Sequence, residues 1–133
     1  MKKCVSLLLF ILLLMSQSIC FAQSVFLDGS TPLTLTISPS IPASKEPARE
    51  FEIAITSPEY QRLQTWLSDN ATGWGRAEHR WQAPYVVVSK GLRLEFSGVL
   101  VVLKINMDGK PVTLSRMGKG ELVKIFANFI NRP

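Results

Sequence analysis

The chain reads as an α+β protein, a two-layer sandwich in which two helices cover one face of a mainly antiparallel sheet of about five to six strands. Three observations predict it. Short segments from Leu33 onward alternate apolar and polar residues with period 2, and an Asp108-Gly109 pair separates two such segments. Two stretches, near Tyr60 and near Phe126, instead repeat apolar residues at helical spacing. The order is strand, strand, helix, four strands, helix, with no internal repeat.

Leu33, Leu35 and Ile37 alternate with Thr34, Thr36 and Ser38, the pattern of a half-buried strand. Residues 39–49 form a proline-rich connector, because Pro39, Pro42 and Pro47 lack the backbone donor that a central strand or helix interior needs. Phe51, Ile53 and Ile55 then alternate with Glu52 and Thr56 in a second strand, placed to pair with the first. Ser57-Pro58-Glu59 starts a helix: the serine oxygen accepts an orphan amide, proline suits the first turn, and the glutamate faces the positive end of the helix dipole. Tyr60, Leu63, Trp66 and Leu67 share its apolar face, and it stops near Asn70, where Asn70 or Gly73 can adopt a left-handed cap.

From Pro84 to Met117 the sequence reads as a four-strand meander with turns at Lys90-Gly91, Ser97-Gly98 and Asp108-Gly109. Leu92, Leu94 and Phe96 alternate with Arg93 and Glu95, so one face of that strand is solvated. Val99 to Leu103 is apolar on both faces and belongs in the centre of the sheet or under a helix. Leu122, Ile125, Phe126, Phe129 and Ile130 line one side of a terminal helix whose other side carries Glu121, Lys124, Asn128 and Asn131. The expected core is Leu35, Phe51, Ile53, Leu63, Trp66, Leu67, Leu94, Phe96, Leu100, Val102, Phe126 and Phe129.

The first 22 residues read as a secretory signal: Lys2 and Lys3, an apolar run from Leu7 to Met15, and a Cys20-Phe21-Ala22 cleavage site. The run is about half of the roughly 20 apolar residues that a membrane span requires. A mature single domain therefore spans residues 23–133, periplasmic or secreted from a bacterium and not inserted in the membrane after cleavage. Lipid attachment at Cys20 is disfavoured, because Ile19 is too bulky and Gln17 is not the expected leucine of an acceptor site. Both cysteines, Cys4 and Cys20, lie in this leader, so cleavage leaves neither disulfides nor thiolate chemistry. The 15 basic residues less Lys2 and Lys3, set against 10 acidic ones, leave a net charge of +3. That mild excess suits an anionic partner but not nucleic acid, which calls for a dense basic stripe.

No motif has catalytic spacing, and an enzyme is not expected. His79 stands beside Glu78 as the only histidine, whereas zinc takes three or four protein ligands, so neither metal nor cofactor is anticipated. There is no G-x-S-x-G turn, and Ser97 before Gly98 is a hairpin residue. The acidic residues are scattered over turns and strand faces, without an evident pair for glycoside cleavage. Asn70-Ala71-Thr72 matches a glycosylation sequon, short enough to arise by chance in a bacterial chain.

The stretch WLSDNATGWGRAEHRW, Trp66 to Trp81, holds all three tryptophans. Trp66 belongs to the helix face, and Trp81, just before the strand that follows Pro84, anchors the other end of the loop to the core. Between them Trp74, Arg76, His79 and Arg80 are the expected binding residues, since tryptophan and arginine together have hot-spot composition. Gly73 and Gly75 leave Trp74 without local neighbours. WLSDNATGW followed by APYVVVSKGLRLEFSGVLVVLKI resembles small exported bacterial proteins whose middle reads W-L-x-x-N-x-x-G-W before a proline-led meander. The resemblance implies a periplasmic or lipid-anchored product, in some members of immunity or inhibitor type, and transfers no site residue. The expectation is thus a non-enzymatic module that binds another exported or envelope protein. The alternatives are a cell-wall ligand-binding or hydrolytic domain and a structural subunit of an envelope assembly. The intact mass of protein from a periplasmic extract should correspond to a chain starting at Gln23; a retained leader or a diacylglycerol adduct on Cys20 would overturn this reading.

Overall fold

The computed structural model describes residues 27–39, 45–77 and 81–133. The expected leader with Cys4 and Cys20, the middle of the proline-rich connector, and Glu78, His79 and Arg80 lie outside the described residues. The elements are β1 (Leu33–Ile37), β2 (Arg49–Ile53), α1 (Pro58–Asp69), β3 (Gly75–Arg76), β4 (Tyr85–Ser89), β5 (Leu92–Phe96), β6 (Leu100–Met107), β7 (Lys110–Met117), α2 (Glu121–Ile125) and α3 (Ala127–Ile130). They build the α+β sandwich that the sequence predicts, with seven strands and three helices among the described residues. The strand order is β2-β1-β4-β5-β6-β7-β3, and every pairing is antiparallel. The two extra elements are a strand of two residues, too short for any periodicity, and a break in the terminal helix.

Register fixes which face is dry. Phe51, Leu35, Val87, Leu94, Leu103 and Leu114 stand opposite one another from strand to strand, so all six project from the same face. The helices cover that face. Tyr60, Leu63, Trp66 and Leu67 of α1 are buried with it, as the apolar spacing predicts. Ser57 Oγ accepts from the amide of Tyr60 at 3.2 Å, which satisfies one of the orphan donors of the first turn. In the β6–β7 hairpin Asp108 (φ 52°) and Gly109 (φ 77°) take the two left-handed positions of a tight turn that matches strand twist.

Two expectations about the core are corrected. In β6 the helix-side residues are Val101, Leu103 and Ile105, one position out of phase with the expected Leu100 and Val102. Val102 is buried, but against the opposite face, and Leu100 is half-buried. A run that is apolar on both faces has no phase of its own; the pairing of Leu94 with Leu103 supplies it. The terminal helix is also not continuous. It breaks at Phe126 (φ −99°, ψ 12°), which is fully buried with its ring centroid 5.8 Å from that of Phe96. The break lets Phe129 reach Phe51 instead, at 5.5 Å, and both of these rings remain partly exposed.

Phe126→Ala should cost about 3 to 5 kcal/mol in denaturant melts, since it removes a whole ring from a closed site. A loss below about 1 kcal/mol would mean that α2 and α3 do not depend on this anchor.

Candidate functional site

The Trp66–Trp81 stretch divides between the two faces of the sheet. On the helix side, Gly73 (φ 84°) turns the chain after α1, and Trp74 folds back over the helix end. Its indole Nε1 donates to the carbonyl of Asn70 at 2.6 Å, and its ring meets Trp66 edge-on at 6.2 Å. Arg116, which shares the helix-side face through its register with Val101, donates to the carbonyls of Asn70 and Thr72 at 3.3 and 3.0 Å. Its guanidinium lies 5.4 Å from the Trp74 ring centroid and 6.0 Å from that of Trp66. The expectation that the glycines leave Trp74 without neighbours is therefore corrected: Trp74 is half-buried in a clamp on the carbonyls of Asn70, the C-cap of α1, and Thr72. Arg76 is exposed on edge strand β3, opposite Leu114. Of the four residues expected to bind, Trp74 and Arg76 thus flank one bend, while His79 and Arg80 lie outside the described residues.

The chain must then return from β3, at one edge, to β4 in the middle of the sheet. Trp81 and Ala83 share a groove of about 640 Å³ with Thr36, Glu50, Val86 and Glu95, all four from the face opposite the helices. The segment 81–83 is thus laid on the helix-free face. Trp81 Nε1 is sealed from solvent and has no hydrogen-bond acceptor among the described residues. A buried donor of this kind forfeits its bond to water and calls for an explanation.

The charged part of the groove follows from strand register. Arg93 of β5 stands directly opposite Lys104 of β6, a like-charge pairing that is unfavourable on its own. Glu95, two residues along β5 on the same face, resolves it: its Oε1 accepts from Arg93 Nε and from Lys104 Nζ, both at 2.7 Å. Glu95 is only 4% exposed. Burial alone would raise its pKa, but the hydrogen bonds from Arg93 and Lys104, with their positive charges, outweigh it and hold the carboxyl below the usual glutamate range. Sequence reading marked Arg93 and Glu95 only as the solvated side of a strand. Their spacing of two was the visible signal, and Lys104, nine residues further along, became their partner only through pairing.

Across the groove Glu50 of β2 is exposed and makes no ion pair among the described residues. Among the described residues no group of three or more His, Cys, Asp or Glu side chains is placed to hold a metal ion. No described helix is long and apolar enough to cross a membrane. Fold and groove together define an α+β two-layer sandwich with one helix-covered and one open sheet face. No protein-family model, curated protein or solved structure matches the chain.

The depressed pKa of Glu95 sets a sign for pH dependence. Its ionised form adds stability above the unfolded-state pKa, and this is lost as the pH falls through that value toward the lower folded one. Wild-type denaturant melts should therefore weaken more steeply below about pH 5 than those of Glu95→Gln, which should also be less stable at neutral pH because Arg93 and Lys104 are left opposed. Parallel pH profiles would show that the carboxylate carries no such linkage.

Proposed function

We propose that the protein is a non-enzymatic binding module of inhibitor or immunity type that engages another exported or envelope protein. The contact surface is the helix-free sheet face; Arg76, exposed on edge strand β3, stands opposite Leu114 and so projects from the other side. The observation that carries this reading is the groove of that face, where the Trp81 side chain stands among the unlike charges of Glu50, Arg93 and Glu95. Such a combination of aromatic side chain and arginine is typical of the parts of an interface that hold most of its affinity.

The state of the buried groove carboxylate supports binding over hydrolysis: Glu95 is fixed as an anion by two cations, whereas a general acid needs a raised pKa. The size of the groove favours one second reading, a small polar ligand from wall material.

Pull-down from an envelope extract should recover a stoichiometric protein partner with the wild type. Glu50→Gln, which removes an exposed charge at the groove, should melt like the wild type and mainly slow association, whereas Arg76→Ala, on the other side of the sheet, should leave capture unchanged. Trp74→Ala should instead lose stability, because its ring and indole nitrogen close the end of α1. Failure to recover any stoichiometric partner, or turnover of purified wall fragments by the protein, would overturn the proposal.

A further inference from the structure

The groove on the helix-free face has unlike charges on its two sides. On the β2 side stands Glu50, exposed and without an ion pair among the described residues. On the β5 side stands Arg93, whose Nε is engaged by Glu95 but whose side chain is still half exposed. With Lys104 also on Glu95, the cluster of two cations and one anion carries a net positive charge. The floor between is the sheet itself, where Thr36 of β1 and Val86 of β4 are directly paired. These side chains are short and leave a shallow trough. The Trp81 side chain lines the same groove.

Resting on the binding-module reading above, we propose that this groove takes an extended peptide segment of the partner, laid across β1 and β4. A basic side chain of the segment meets Glu50 and an acidic one meets Arg93, while the Trp81 indole at the groove reports its occupancy. Charge complementarity selects this occupant. A neutral glycan would bring no charge to Glu50 or to the net positive Arg93, Lys104 and Glu95 cluster, and a polyanion would place negative charge against Glu50. The spacing fits as well. β2 and β5 are three strand spacings apart, about 14 Å, and an extended chain covers that distance in about four residues at roughly 3.3 Å each. Unlike a strand added at a sheet edge, such a segment is read by its side chains rather than by a backbone ladder.

Proton–nitrogen correlation NMR of the purified protein tests this, because the three tryptophans give separate indole signals and Trp81→Phe identifies that of Trp81 while keeping a ring in place. Should that variant not fold, through-space contacts to Val86 provide the assignment. The probes are the blocked peptides acetyl-Lys-Ser-Ala-Ser-Asp-amide and its reverse sequence, which present unlike charges four residues apart in either direction. At millimolar concentration one of them should move the Trp81 signal saturably and leave those of Trp66 and Trp74 in place. Glu50→Gln should weaken that binding by about tenfold. The proposal is wrong if neither peptide moves the signal, if the response is undiminished in Glu50→Gln, or if an N-acetylglucosamine trimer moves it where both peptides fail. Loss of the peptide response while a protein partner is still captured would remove the groove assignment and leave the binding-module reading standing. A saturable peptide response without any captured partner would do the reverse.

Discussion

Phe51, Leu35, Val87, Leu94, Leu103 and Leu114 stand in one cross-strand row, and this row decides the environment of nearly every other side chain. Side chains alternate strictly along a strand, so a slip of one residue in any pairing would carry its whole apolar set to the wrong face. With the row in place, α1 lays Tyr60, Leu63, Trp66 and Leu67 on it, and the C-terminal segment lays down Leu122 and Phe126. Arg116, two residues from Leu114 on β7, is carried to the same face and reaches the end of α1. The clamp on Trp74 is a consequence of sheet register as much as of the loop that contains it.

The same row determines what the opposite face must tolerate. Arg93, Glu95, Val102 and Lys104 occupy the alternate positions of two neighbouring strands, so charges and an apolar side chain are forced together away from the helices. Glu95 makes this arrangement stable by taking two cations on one oxygen. Buried ion pairs often fall short of the stability an apolar core would give, and their best-attested value is in fixing one arrangement among several. Here the fixed arrangement is a charged side for the groove beneath Trp81.

Connectivity explains the fate of the three tryptophans. β3 lies at one edge of the sheet while β4 is interior, and the segment 81–83 that leads into β4 lies on the helix-free face. Trp66 and Trp74 therefore stay on the helix side and Trp81 ends on the other. Residues within a single run of sixteen positions serve two separate surfaces. The indole donor of Trp81 is sealed at the groove without an acceptor among the described residues, and it forfeits the bond that water would otherwise give it.

The sequence by itself determined the elements whose signals are local. Ser57-Pro58 with the Tyr60, Leu63, Trp66 and Leu67 face specified α1, alternation specified β1, β2 and β5, and Asp108-Gly109 specified the β6–β7 hairpin, because caps, period and turn residues act within a few positions. It could not determine the phase of β6, since Leu100 to Leu103 is apolar at every position, nor the strand Gly75–Arg76, which exists only as a bridge to β7. The groove was illegible for the same reason. Thr36, Glu50, Trp81 and Glu95 come from three strands and a connector, and only long-range pairing makes them neighbours. Trp74 likewise was read as unsupported because its support, Arg116, lies 42 positions further along the chain and arrives through the register of β6 with β7. Local propensity names the elements; which of their side chains meet is set by pairing across the sheet, and that pairing is what defines this protein's candidate site.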